Sequence, residues 1–178
     1  MKIYVARHGE TDYNSQELGC GVSDIPLNEK GLKQAERLAE VTARYPHIGL
    51  MIVSPLARAR QTAECILRRC PMELRIDDRL REQDYGVFEG QKKGKEFHAA
   101  VREFAKPCPG GESLFHVAQR VYNFLDELIR DQPAGEVLLL THGAVSRVIR
   151  SYFVPMGNEE YMGFLQKKGE LAVYEAKR

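Results

Sequence analysis

Val137-Leu138-Leu139-Leu140-Thr141-His142-Gly143 is a run of four large aliphatic residues that ends in a hydroxyl, an imidazole and a glycine. Four apolar residues without alternation fit a strand covered on both faces, the habit of parallel sheets between helix layers. The segment from about Ala144 to the residue before Pro155 has helical periodicity, so the run predicts strand, tight turn, helix. The same unit recurs upstream. Residues 2–6 read as a short apolar strand closing in Arg7-His8-Gly9, and Leu50-Met51-Ile52-Val53 closes in Ser54-Pro55 before a helix from about Leu56 to Arg69, stopped by Pro71.

Working outward, Asn28 can cap a helix through about Tyr45, with Leu32, Ala35, Leu38, Ala39 and Thr42 on one face. Glu73 to Ile76 reads as a third strand and Leu171 to Tyr174 as a final one. A longer helix over roughly 113–131 carries Leu114, Val117, Val121, Phe124, Leu125 and Leu128 as its stripe. Alternating strands and helices predict a three-layer α/β/α sandwich with a mostly parallel sheet and one antiparallel edge strand. The 178 residues fit a single domain, residues 1–178. Residues 84–111 hold Gly86, Gly90, Gly94, Pro107, Pro109, Gly110 and Gly111 around one short helical stretch, the composition of a lid-like excursion over the surface.

Composition narrows the function classes. Lys and Arg number 26 against 25 Asp and Glu, a formal charge of +1 that gives neither a nucleic-acid footprint nor a membrane-surface patch. Residues 1–6 are too short an apolar stretch for a signal peptide, and no segment approaches a transmembrane helix. Cys20, Cys65, Cys70 and Cys108 lack zinc-like spacing, so free thiols and a cytoplasmic location are the expectation. No cysteine has an arginine six positions later, which removes the cysteine-based phosphatase loop. The sequence carries no signal for an oligomeric state.

The chemistry lies at the strand ends, where sites form in open α/β sheets. Two strands closing in His-Gly bring His8 and His142 together if they are neighbours. Arg58, in the first turn of its helix, can face the same way as Arg7, and guanidinium pairs suit phosphate oxygens. Gly143 opens a helix whose free amides favour an anion. Glu82 supplies a carboxyl for proton transfer, with Asp84 and Glu89 as alternatives. Two imidazoles, two guanidiniums and one acid suit phosphoryl transfer without metal. Ser54 lacks a Gly-x-Ser-x-Gly context and reads as a turn or cap. Lys92, Lys93 and Lys95 read as a solvated charge run, His47, His98 and His116 as ordinary residues.

These blocks resemble a known family. Arg7-His8-Gly9-Glu10-Thr11 with Asn14, then Gly21-Val22-Ser23-Asp24-Ile25-Pro26-Leu27, Ser54-Pro55-Leu56-Ala57-Arg58, Leu80-Arg81-Glu82 with Gly86 and Glu89-Gly90, Pro109-Gly110-Gly111-Glu112-Ser113 and Thr141-His142-Gly143 are similar, in order, to the motifs of the histidine phosphatase superfamily. The resemblance implies His8 as nucleophile, Glu82 as general acid and then base, and Arg7, Asn14, Arg58 and His142, with Gly21 and Gly143, around a phosphoryl group. It implies a small phosphomonoester as substrate and no metal or organic cofactor. The superfamily also holds phosphoglycerate mutases, whose acid-bearing block continues Glu-Arg-His-Tyr-Gly. This chain reads Glu82-Gln83-Asp84-Tyr85-Gly86 and lacks their long proline-rich insertion, which favours a phosphatase. Cys20 stands where many relatives carry glutamine.

Overall fold

The computed structural model describes residues 1–131 and 135–176. Five strands form one mixed sheet: β1 (Lys2–Arg7), β2 (Ile48–Val53), β3 (Glu73–Ile76), β4 (Glu136–Thr141) and β5 (Leu171–Glu175), in the order β3-β2-β4-β1-β5. All pairs are parallel except β1 with β5, which closes one edge antiparallel. The helices are α1 (Asp12–Ser15), α2 (Glu29–Thr42), α3 (Ala57–Arg69), α4 (Lys95–Ala100), α5 (Leu114–Asp131), α6 (Gly143–Phe153) and α7 (Asn158–Gly163). None is long and apolar enough to cross a membrane.

The period-2 geometry of the strands splits the core into two layers. Ile3, Val5, Leu50, Ile52, Val137 and Leu139 pack on one face with the α5 and α6 residues Val117, Val121, Leu125, Val145 and Ile149. Tyr4, Ala6, Met51, Val53, Leu138 and Leu140 pack on the other with Leu38, Ala39, Ala59, Ala63 and Ile66 of α2 and α3. The unbroken apolar run at 137–140 is therefore what the two-sided burial of β4 requires. The sheet is the middle layer of the predicted sandwich.

The helix starts follow from local chemistry. Asn28 accepts the Gly31 N–H at 2.8 Å and caps α2. Leu32 departs from the predicted stripe: it is 42% exposed, while Gly31 is buried in its place. A Cβ on Gly31 would lie 2.0 Å from the Glu10 carbonyl oxygen, so the first turn of α2 is pressed by its glycine against the backbone after β1 and turns Leu32 outward. Residues 84–111 add no strand to the sheet; they hold a 3₁₀ turn at Gly86–Phe88 and α4, and are tied to residues 18 and 19 by isolated bridges.

The two-layer core predicts an asymmetric response to truncation. Leu139→Ala, at a fully buried position of the central strand, is expected to lower the unfolding free energy by about 2–5 kcal/mol. Leu32→Ala should change it by about 0.5 kcal/mol or less, both read from urea unfolding.

Candidate active site

Strand register brings the two histidines together. Arg7 pairs with Thr141 across β1 and β4, and the His8 N–H continues the ladder to the Thr141 carbonyl at 3.0 Å. The next residues, His8 and His142, then leave the sheet side by side, with ring centroids 4.9 Å apart and planes tilted by 55°. Each ring is buried. β2, on the far side of β4, delivers Ser54, whose hydroxyl lies 2.7 Å from His142 Nε2.

The partners of His8 fix its tautomer. Nδ1 lies 2.6 Å from the Gly9 carbonyl, which can only accept, so Nδ1 carries the proton. Nε2 accepts from Arg58 Nε–H at 3.2 Å, and an arginine N–H can only donate, so Nε2 holds the lone pair. Burial, and next the charges of Arg58, Arg7 and Lys168, hold the His8 pKa well below the ordinary histidine range. The His142 pKa is pushed down in the same way, by burial and then by Arg58.

Arg58 is fully buried. Besides His8 it donates to the carbonyls of Ser23, at 2.8 Å, and Gly21, at 2.6 Å. Those carbonyls are presented by a loop whose amides converge on Glu89: Gly21, Val22 and Ser23 N–H all donate to its carboxylate at 3.0–3.2 Å, as does Tyr85 N–H at 3.1 Å. Gly21 is thus joined to the histidines through Arg58. A Cβ there would lie 2.2 Å from the Gln83 carbonyl oxygen and from Glu89 Oε1, so the loop closes only around a glycine. Glu89 and Asp84, the alternative acids of the sequence reading, are committed to backbone amides.

Glu82 is buried beside the histidines. Both of its carboxylate oxygens accept the Ala144 N–H, at 3.2 Å, and Oε1 also takes the Gln83 N–H. The group at the N-terminus of α6 is thus the Glu82 carboxyl itself, where the sequence reading expected an anion. The Glu82 carbonyl is held by Arg120, which also grips the Arg79 and Arg81 carbonyls and pairs with Glu112 at 3.0 Å.

Arg7, His8, Asn14, Glu82 and Gly143 line one cavity of about 360 Å³ outside the strand ends, with Arg58 and His142 behind His8. Arg7 Nε and His142 Nδ1 are buried polar atoms without a partner among the described residues. Two other such atoms, Arg81 Nε and Arg150 Nε, belong to arginines that pair with carboxylates through Nη. Cys20 lines the cavity too; burial raises its pKa and keeps it a thiol. The outer wall comes mostly from the 84–111 segment, through Tyr85, Lys93, Phe97, His98 and Arg102, and from Arg147 of α6.

Some of these residues were given other roles, or none, in the sequence reading. Lys93, read as part of a solvated run, faces the cavity, and burial and then Arg7 lower its pKa; Lys92 bonds outside it to the Gln16 carbonyl. His98, read as ordinary, lines the same wall. Arg147 and Ser54 carried helix and turn signals only. Asn14 has two attachments, the Thr11 capping box and the cavity.

An α/β sandwich with a cationic, histidine-bearing cavity at the carboxyl ends of its parallel strands is a protein equipped to hold an oxyanion. Residues 3–178 match the family described as Histidine phosphatase superfamily (branch 1). The Probable phosphoglycerate mutase GpmB of Cronobacter sakazakii is 34% identical over 151 residues, covering 80% of this chain and 70% of that protein. Among solved structures, the mycobacterial glucosyl-3-phosphoglycerate phosphatase in complex with VO3 superposes with a TM-score of 0.86 at 26% identity, over 97% of this chain and 90% of that one. The α-ribazole phosphatase of Shigella flexneri shares the fold with a TM-score of 0.85 at 23% identity, over 100% and 92%. The chain belongs to the histidine phosphatase superfamily, branch 1.

The buried neutral imidazoles predict an acid-side loss of stability. Both titrate lower in the folded protein than in the unfolded chain, where histidine titrates near ~6.5. The unfolded chain therefore takes up protons first, and stability is intact above that value and falls on acidification. Urea unfolding between pH 7.5 and pH 5 should show this decline, and His8→Asn should flatten it.

Proposed function

We propose that the protein is a phosphomonoester hydrolase that works through a phosphohistidine at His8. The observation that carries the reading is the state of that ring: a neutral imidazole, protonated at Nδ1, with its Nε2 lone pair at a cavity flanked by Arg7 and Glu82. Arg7, which makes no side-chain hydrogen bond or ion pair among the described residues, supports a site held for an anion.

In the proposed first step Nε2 attacks phosphorus, and the bond from phosphorus to the ester oxygen breaks. The leaving alkoxide takes a proton from the Glu82 carboxyl. Arg58 Nε–H loses its acceptor as the Nε2–P bond forms and becomes free for a phosphoryl oxygen. Arg7, the unpartnered His142 Nδ1 and the Asn14 amide bind the remaining charge, which is spread over the equatorial oxygens. In the second step Glu82 takes a proton from water, the hydroxide attacks phosphorus, and the N–P bond breaks to regenerate neutral His8. The substrate is a small phosphorylated metabolite. α-Ribazole-5′-phosphate is one candidate, and a broad range of sugar phosphates or nucleotides the other; residues 84–111 would act as the lid over it.

The relatives named as mutases favour a second reading, in which the phosphoryl group passes to another hydroxyl instead of water. Gln83 weighs against it: this neutral residue at the cavity donates its amide to the Glu112 carbonyl and adds no charge for a substrate carboxylate.

Turnover of p-nitrophenyl phosphate tests the proposal directly. Wild type should release phosphate and yield an acid-labile phosphoprotein on rapid quench, and His8→Ala should do neither. Glu82→Gln should lower kcat by ~10²–10⁴. Chelator should leave the rate unchanged. Isomerisation of monophosphoglycerate in the presence of bisphosphoglycerate, faster than phosphate release, would replace hydrolysis by the mutase reading.

A further inference from the structure

Lys168, half-buried between α7 and β5, has no part in the chemistry above, yet its charge is felt at His8. Its Nζ donates to Asn14 Oδ1 at 2.9 Å, across 154 positions of sequence. An ammonium has donors and no acceptor, so the Asn14 atom that faces it must be the carbonyl oxygen. The same oxygen accepts the Thr11 N–H at 3.4 Å. With both lone pairs of Oδ1 engaged, the Asn14 N–H₂ group is left for the cavity that Asn14 lines. Take Lys168 away, and only the long Thr11 contact separates this amide orientation from the flipped one. The flipped amide would turn a carbonyl oxygen towards a phosphoryl anion.

We propose that Lys168 is a positioning residue of the phosphoryl site, fixing the Asn14 amide with its N–H₂ towards bound phosphate. The proposal rests on the phosphatase reading for its kinetics, but phosphate binding alone also reports on it.

The groups that face Lys168 are Arg7 on β1, His8 and Glu10 just after it, Cys20 in the following loop and Lys30 on α2. Glu10, the acid of this set, is already paired with Lys30 at 3.0 Å. Burial, and next Arg7, bring the Lys168 pKa down to about 7. The His8 and Glu10 values are pushed down and the Cys20 value up, so around neutrality Lys168 is the member of this group poised to change charge. Below that point the ammonium donates and Asn14 is fixed. Above it the neutral amine can accept as well as donate, and the amide is released.

The test is the pH dependence of Lys168→Met and Lys168→Arg with p-nitrophenyl phosphate, alongside calorimetric binding of inorganic phosphate at pH 6 and pH 8.5. Wild-type KM should rise as pH passes 7. Lys168→Met should raise KM roughly tenfold at pH 6 with kcat little changed, and lose that rise. Lys168→Arg, still charged, should keep the wild-type KM at pH 6 and hold it at pH 8.5. In an Asn14→Ala background, Lys168→Met should add less than twofold, because the effect passes through the amide. A Lys168→Met KM within twofold of wild type at pH 6, or an unchanged alkaline rise, overturns the proposal; Lys168→Gln repeats the measurement if the Met variant melts early. Phosphate binding that weakens in Lys168→Met while wild type shows no turnover would retain this inference and discard the phosphatase reading.

Discussion

A guanidinium with no exposed surface has to be surrounded by acceptors, and the architecture around Arg58 follows from that requirement. Among the described residues it meets no carboxylate directly; its N–H groups end on two carbonyls and one imidazole nitrogen. Carbonyls point inwards at residues 21 and 23 only if their neighbouring amides are satisfied elsewhere, and Glu89 satisfies them as a group. The positive charge is thus balanced at second hand, through a loop whose two sides face Arg58 and Glu89. A buried cation compensated in this indirect way leaves room for a further anion, which a bidentate carboxylate partner would have filled.

The sheet supplies the second half of the geometry. From β1 the chain passes through α2 to β2 and leaves a vacancy between the two strands that β4 later fills. Because β4 is parallel to both neighbours, three strands end at one level, and the first residues beyond them are His8, Ser54 and His142. The 4.9 Å spacing of the rings is therefore a consequence of strand spacing and register. The hydrophobic layers that hold the register are also what hold the nucleophile of the proposed reaction.

This explains why some features were legible in the sequence and others were not. Buried strands announce themselves by composition, so the ends of β1, β2 and β4, and the polar residues on them, could be read directly. The antiparallel edge strand and the capping of α2 by Asn28 were local signals as well. Leu32 was misplaced because periodicity ranks faces by hydrophobicity, whereas the close approach of Gly31 to Glu10 decided which face turned inwards. Lys93, Arg147 and Lys168 resemble any surface cation in sequence. That the first two face the cavity and Lys168 meets Asn14 depends on how the 84–111 segment and the approach to β5 fold back, which local pattern does not encode. Arg120 was silent for the same reason, since its work is to hold the carbonyls of residues 79, 81 and 82, with Glu112 as its carboxylate partner.

The place of Glu82 has a consequence for how an anion can be bound at all. Many phosphate sites use the free amides of a helix N-terminus. Here the amide of Ala144 at the start of α6 is taken by both oxygens of Glu82. That amide is therefore not free for a phosphoryl group, while the cavity is rich in cationic side chains: Arg7, Lys93, Arg102 and Arg147 beside the carboxyl of Glu82. The carboxylate sits on the dipole of α6, where it is held for proton transfer in the proposed chemistry, and the guanidiniums and imidazoles are left to the phosphoryl oxygens. Glu82 already lies beside Arg7 in the same cavity, so it is the backbone amide of Ala144 that fixes where the carboxyl sits relative to that guanidinium.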